Sequence, residues 1–335
     1  MIKVGVIGYG YWGPNVVRNF VTNTGTSVKS VCDFSAARLE KAQALYPGIT
    51  TTTRPEELIA DSRVDAVVIA TPVATHFELA MAALKAGKHV LVEKPITSSS
   101  EQAQRLIDEA AKRKLVLLVD HTFIYTGAVR KMYELIKEPA FGQLSYYDST
   151  RVNLGLFQHD VNVLWDLAVH DLSIMAHVLG APPVAVSATG LSHVPGKPEN
   201  VAFLTVFFQK DLIAHINVNW LSPVKIRRTL VGGTKRMIVY DDLETSEKVK
   251  VYDKGITVTE TPDDVRRLLI SYRTGDLWSP KVSDAEALQV EADHFVKCIR
   301  GEERPLTSGE KGLEIVRLLE AADKSMRLRG APIDL

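Results

Sequence analysis

A chain of 335 residues, 46% hydrophobic and 24% charged, has the composition of a soluble globular protein and the length of two domains. Forty basic and forty acidic residues cancel, which excludes a strong electrostatic pull toward nucleic acid or an anionic membrane, so neither is an expected partner. No apolar run reaches the roughly 18 residues that cross a bilayer, and the chain opens on a strand pattern rather than a signal sequence. The two cysteines, Cys32 and Cys298, fit no metal-binding spacing and read as buried residues in a reducing compartment, so the expected location is cytoplasmic.

Over the first 120 residues, short apolar runs alternate with helical patterns. The runs are KVGVIG (3–8), SVKSVCD (27–33), VDAVVIA (64–70), KHVLVEK (88–94) and LVLLVD (115–120). Between them, 76–87 reads as a helix with a glycine stop. The segment 98–114 reads as another, with Ser98 and Glu101 as a capping box and basic residues at its end. Strands apolar on both faces and separated by helices predict a doubly wound parallel sheet of the Rossmann kind.

Beyond residue 120 the pattern changes. A helix over 126–137 leads through 142–155 to a second helix at about 164–179. Alternating runs follow at 183–193, 201–208, 212–221, 225–233, 235–241 and 248–253, and two amphipathic helices close the chain at about 284–300 and 309–327. This predicts a fold of class α/β plus α+β, whose C-terminal domain has a large, mostly antiparallel sheet flanked by helices. The expected domains are 1–120, which binds a dinucleotide, and 121–335, which serves substrate binding and oligomerisation, with the C-terminal helices free to pack back on the first domain. Such a sheet must cover its outer face, which predicts a homodimer or homotetramer.

GYGYWG places Gly8, Gly10 and Gly13, with Tyr11 and Trp12 between them, directly after a strand and at the start of a helix that carries Pro14. Asp33 lies 20 residues beyond Gly13, where an acidic group meets a ribose hydroxyl. Glycines let backbone amides approach a pyrophosphate, and the helix N-terminus favours its charge. A carboxylate at Asp33 favours NAD, with NADP the weaker expectation; Arg38, on the following helix, is the nearest group suited to a 2′-phosphate.

WDLAVHD (165–171) sets Asp166 and His170 about one helical turn apart. On these residues alone, three readings stand open: a satisfied core histidine, a metal site without an evident third ligand, and an acid/base pair. Lys94, in EKP (93–95), ends a strand whose carboxyl end would line a ligand crevice.

The glycine-rich start, ATPVATH (70–76), EKP (93–95) and the Asp166/His170 pair, in this order, resemble the Gfo/Idh/MocA family of sugar and cyclitol oxidoreductases. The resemblance runs through the ending at 294–325. It implies that Thr71, Pro72 and His76 pass beside the cofactor with Glu93 and Lys94, and that Lys94 sits near the nicotinamide and the reacting hydroxyl. It also implies that Asp166 and His170 line the substrate cleft, His170 in the acid/base position. HDVNVLW (159–165) departs from the small, glycine-rich approach common in that family, which bears on pocket shape. The segments GYGYWGPN, VNLGLFQHDVNVLWDLAVHD and YRTGDLWSP are similar to the branch that oxidises UDP-N-acetylglucosamine, or its uronic acid, at C3.

Arg151, Asn153, Gln158, His159, Asn162, Tyr272 and Arg273 are the candidate substrate contacts, with Arg151 the preferred anchor because guanidinium binds carboxylate and phosphate bidentately. Trp220, Phe203, Phe207 and Phe208 read as core or subunit contact, and the basic run 225–236 as a solvated edge. The expected function is NAD-dependent oxidation of a sugar hydroxyl, with a sugar or nucleotide-sugar as substrate. Alternatives are a free-sugar or inositol dehydrogenase, a lyase or glycosidase with transient hydride transfer, and a non-catalytic NAD-binding sensor.

Overall fold

The computed structural model describes residues 1–155, 161–258 and 270–335. It divides into two units. One comprises Met1–Tyr125 with Ala285–Glu320, the other Thr126–Asp284 with Ala321–Leu335. The segment Ala285–Glu320 thus belongs with the N-terminal unit.

In the first unit, β1 (Ile2–Ile7), β2 (Thr26–Cys32), β3 (Thr50–Thr52), β4 (Ala66–Ile69), β5 (His89–Glu93) and β6 (Leu117–Asp120) form one parallel sheet in the order β3-β2-β1-β4-β5-β6. The crossovers carry α1 (Gly13–Thr22), α2 (Ala36–Leu45), α3 (Pro55–Ala60), α4 (His76–Lys85) and α5 (Ser100–Arg113). All residues of β4 and β6 are buried, as expected for strands covered on both faces. The strand order reverses beside β1, where β2 and β4 lie on opposite sides, and this opens a crevice at the strands' carboxyl ends. The cap of α5 is one residue later than the sequence suggests: Ser99, not Ser98, accepts from the Gln102 amide.

The core on the α1 side of this sheet is completed from far along the chain. Helix Ala287–Ile299 contributes Ala292, Phe295 and Cys298 to the cluster built on Val4, Val6, Val17 and Phe20, and Phe295 meets Phe20 edge-on with ring centroids 6.3 Å apart.

The second unit begins with α6 (Gly127–Ile136) and β7 (Leu144–Leu154), followed by α7 (Val169–Leu179). Then come β8 (Pro183–Leu191), β9 (Val201–Phe208), β10 (Ile213–Asn219), β11 (Leu221–Gly233), β12 (Met237–Asp241) and β13 (Val249–Tyr252). A ribbon of β14 (Gly255–Val258) and β15 (Ile270–Arg273) is followed by β16 (Leu277–Trp278) and, at the chain's end, β17 (Ile333–Asp334). Nine of these strands form a sheet in the order β16-β13-β12-β11-β7-β10-β9-β8-β17, antiparallel except for the pair β7–β10. Alternation sends Ala202, Leu204, Val206 and Phe208 of β9 inward, leaving Phe203 exposed on the other face. Of the aromatics expected as core or subunit contact, Trp220 and Phe208 are core and Phe203 is exposed.

Truncating Phe295 leaves a cavity that the two packed elements cannot close. Phe295→Ala is expected to lower unfolding free energy by about 3–5 kcal/mol in a urea titration; a loss below about 1 kcal/mol would mean that the returning helix is not part of this core.

Candidate active site

Each glycine of the N-terminal loop has its own reason. Gly8 has φ +103°, and a Cβ there would lie 2.3 Å from the Ala70 carbonyl oxygen; a Cβ on Gly13 would lie 2.2 Å from the Gly8 carbonyl oxygen. Those two are set by the turn and by helix–strand contact. Gly10 differs, because the nearest atom to its missing Cβ is Arg38 Nη1 at 3.7 Å, so the space above it is open to an incoming group. Helix α1 starts after Trp12 with Pro14 in its first turn, without a side-chain cap or an acidic residue there, so its amide end is available to an anion. The residues fit a dinucleotide. Tyr11 is exposed in the same loop, whereas Tyr9 is buried.

Asp33 supports that loop. Its Oδ2 accepts from the Tyr9 amide at 2.7 Å and its Oδ1 from the Ser35 amide at 2.9 Å. Arg38, half exposed, lies 3.5 Å from the same carboxylate rather than pointing away as a solvated face would.

Thr71 and Pro72 follow β4, and the Thr71 hydroxyl accepts from Thr75. His76 is buried, with Nε2 2.8 Å from the Thr71 carbonyl oxygen and Nδ1 2.9 Å from that of Pro95. It ties the loop after β4 to the cis Lys94–Pro95 turn, so its contacts are with the backbone that shapes the cofactor side. Burial pushes its pKa below the ordinary value.

Glu93 and Lys94 end β5 beside Asp120, which ends β6. Asp120 accepts from Trp12 Nε1 at 3.3 Å and from the Thr122 hydroxyl. The next residue, His121, is buried, and neither of its ring nitrogens meets a hydrogen-bond partner among the described residues. Burial lowers its pKa to about 4; Asp120 opposes that shift and Lys94 adds to it.

In the second unit the opening of the helix that carries Asp166 and His170 is not α-helical: Leu164–Ala168 is a π-turn that runs into α7. Such turns recur at functional sites. From Val163 to Leu179 every residue is buried except Asp166, Leu167, His170 and His177, so the pair lies on the face that packing leaves open. This argues against a core histidine. Among the described residues no group of three or more His, Cys, Asp or Glu is arranged to hold a metal ion. The Asp166 carboxylate accepts from the indole of buried Trp220 at 3.0 Å. Trp220 therefore orients Asp166, a role that its place in a strand pattern gave no hint of.

The candidate substrate contacts fare unevenly. Arg151 is buried and bound to Asp171, Nε to Oδ2 at 2.6 Å and Nη2 to Oδ1 at 3.3 Å, while Ser149 donates to the same carboxylate at 2.6 Å. Burial alone would favour the neutral guanidine, but Asp171 reverses that and holds Arg151 charged. The structure thus places this expected anchor in the core, against Asp171. Asn162 is a helix-start cap: Oδ1 accepts from the amides of Leu164 and Trp165, and Nδ2 donates to Asp323. Arg273 pairs with Asp253 at 2.6 Å and donates to the Lys235 carbonyl. Asn153 is half-buried near the end of β7. Gln158 and His159, and the side chain of Tyr272, lie outside the described residues.

Two family models match. The Gfo/Idh/MocA oxidoreductase family's NAD-binding Rossmann fold covers residues 2–121, and its C-terminal alpha/beta domain covers residues 134–335. The chain is 27% identical over 286 residues to UDP-N-acetylglucosamine 3-dehydrogenase of Acidithiobacillus ferrooxidans, covering 84% of this chain and 87% of that one. It is 25% identical to myo-inositol 2-dehydrogenase of Thermotoga maritima, covering 97% and 96%. A solved structure of the Acidithiobacillus ferrooxidans enzyme superposes with a TM-score of 0.82 at 24% identity and covers 98% of both chains.

His121 is neutral in the fold, whereas in the unfolded chain it titrates near the ordinary value of about 6.5. Its contribution to stability is therefore complete above that pH and is lost as pH falls toward its folded pKa of about 4. Relative to His121→Gln, the parent is expected to lose about 2–3 kcal/mol between pH 7 and pH 4.5, read from urea midpoints. Parallel curves for the two proteins would count against this burial effect.

Proposed function

The chain belongs to the Gfo/Idh/MocA family of NAD-dependent oxidoreductases, and we propose that within it the substrate is a UDP-N-acetylhexosamine or its uronic acid, oxidised at C3. The observation that carries hydride-transfer chemistry is the open face of an otherwise buried helix, where Asp166 and His170 are the ionisable residues beside the π-turn. A binding module would have no need to leave this couple out of the core. The nucleotide-sugar substrate is supported by the 27% identity to a UDP-N-acetylglucosamine 3-dehydrogenase.

NAD, when bound, supplies the hydride acceptor. The chain's own residues manage the proton and the charge. His170 accepts the hydroxyl proton, a task suited to imidazole near neutral pH. Asp166, held by Trp220, keeps a fixed negative group on the same face and favours the imidazolium that results. The Lys94 ammonium stabilises negative charge that develops on the substrate oxygen. A second reading, a free-sugar or inositol dehydrogenase, is favoured by the wider coverage of the match to the Thermotoga maritima enzyme, 97% of this chain.

The outer face of the large sheet carries the proposed homodimer or homotetramer contact. Across neighbouring strands it presents Phe203 and Ile213, each 45% exposed, with Leu191, Tyr146 and Ile226. A row of this kind on a paired sheet is covered in most stable proteins.

Three measurements test these proposals. Stoichiometric enzyme and NAD, mixed with UDP-N-acetylglucosaminuronic acid, should give the absorbance of reduced nicotinamide, with UDP-N-acetylglucosamine, free sugars and inositol alongside. Signal only with free sugars or inositol discards the nucleotide-sugar reading. Lys94→Met and His170→Ala should each lower turnover by roughly 10²–10⁴ while NAD still binds; parental turnover by either variant removes that residue from the mechanism. Light scattering after size exclusion should give a dimer or tetramer for the parent and a smaller species for Phe203→Glu; a monomeric parent at micromolar concentration defeats the oligomer.

A further inference from the structure

Three carboxyl groups meet at the carboxyl ends of β5 and β6: Asp120 and Glu291 are buried, and Glu93 is half-buried with its Oε1 enclosed. Glu93 and Asp120 occupy paired positions on adjacent strands, and Glu291 reaches Asp120 from helix Ala287–Ile299, about 170 residues later in the sequence. Neither Glu291 oxygen meets a hydrogen-bond donor among the described residues, nor does Glu93 Oε1. The neighbour within hydrogen-bonding reach of both glutamates is Asp120 itself. Two carboxyl groups can hydrogen-bond only when one carries a proton. Among the described residues no group of three or more His, Cys, Asp or Glu is arranged to hold a metal ion here, and the Lys94 ammonium lies beside Glu93 alone of the two glutamates. Protons therefore neutralise the cluster.

Asp120 is the natural acceptor, since Trp12 Nε1 and the Thr122 hydroxyl already donate to it. That leaves Glu93 and Glu291 as the acids, and burial raises the pKa of each, with Asp120 adding to the effect. The other ionisable groups facing the cluster do not change this arrangement. Lys94 lies beside Glu93 and opposes the rise that burial causes there, His121 is neutral, and burial holds Tyr125 protonated. Trp12 belongs to the glycine-rich loop, and Glu93 precedes Lys94, whose amide donates to its carboxyl at 3.2 Å.

We propose that Glu291 is a positioning residue for the cofactor: as a protonated acid it donates to Asp120, and Asp120 in turn fixes Trp12 of the glycine-rich loop and the Glu93–Lys94 strand end. The role belongs to NAD binding and is independent of which alcohol is oxidised, so its test needs no substrate. Failure of the nucleotide-sugar reading leaves it untouched.

Two variants and two measurements decide it, each with the full chain. Glu291→Gln keeps a donor at the same place and should bind NAD within about threefold of the parent, whereas Glu291→Leu leaves Asp120 short of a donor and should weaken NAD roughly tenfold. Dissociation constants come from calorimetry, with melting temperatures recorded alongside. If Glu291→Leu folds and binds NAD as the parent does, or if Glu291→Gln is as damaging as Glu291→Leu, the proposal is overturned. Should Glu291→Leu not fold, the infrared difference spectrum between the parent and Glu291→Gln at neutral pH decides instead. The proposal requires the carbonyl band of a protonated carboxylic acid in the parent that weakens in Glu291→Gln. Loss of carboxylate bands instead would show Glu291 ionised and end it.

Discussion

Burial of charge at the carboxyl ends of β5 and β6 is the constraint around which the first unit's functional side is arranged. Parallel strands covered on both faces leave little water where they end, so any acid placed there must be neutralised, paired or supplied with donors. Asp120 meets that requirement with the Trp12 indole, the Thr122 hydroxyl and two further carboxyl groups. The consequence is mechanical: the glycine-rich loop, the β5 end and the returning helix share one polar knot. His76 adds a second tie, from the loop after β4 to Pro95. The glycine-rich loop that carries Gly10 thus has its conformation set by side chains of the unit itself.

The second unit meets a similar constraint with a full ion pair. Asp171 is the residue after His170 and points the other way, into the sheet, where Arg151 and Ser149 of β7 hold it. A buried pair of this kind adds little net stability, but removing one partner leaves an uncompensated charge, typically at a cost of about 3–5 kcal/mol. Its effect is orientation. With Asp171 anchored inward, helical geometry turns Asp166 and His170 away from the sheet, and Trp220 fixes the Asp166 carboxylate from the bend between β10 and β11.

What was legible in the sequence follows from how local each signal is. The glycine spacing, Asp33 and the alternation of β9 and β10 depend on neighbours a few residues away, and the structure places them as periodicity and turn chemistry dictate. Strand β3 was missed because Thr50–Thr52 is three polar residues at a sheet edge, and α3 because six residues carry too little period to read. The π-turn has no pattern of its own at this length, so the segment looked like continuous α-helix.

The partners of Arg151 and Asn162 lie where sequence spacing does not show them. Arg151 reads as an anion anchor because an unpaired arginine near Asp166 and His170 would be one; its partner lies 20 residues on and in another element, where spacing cannot show it. Asn162 was read by its closeness to Asp166, yet that closeness is why it caps the segment: four residues before the carboxylate, its side chain serves the first amides of the turn. Glu291 was invisible for the opposite reason, as one acid in an amphipathic helix where acids are ordinary. Polar residues near a site divide into those that face a ligand and those that hold the first group in place. Burial separates the two, and burial is a property of partners that sequence spacing does not contain.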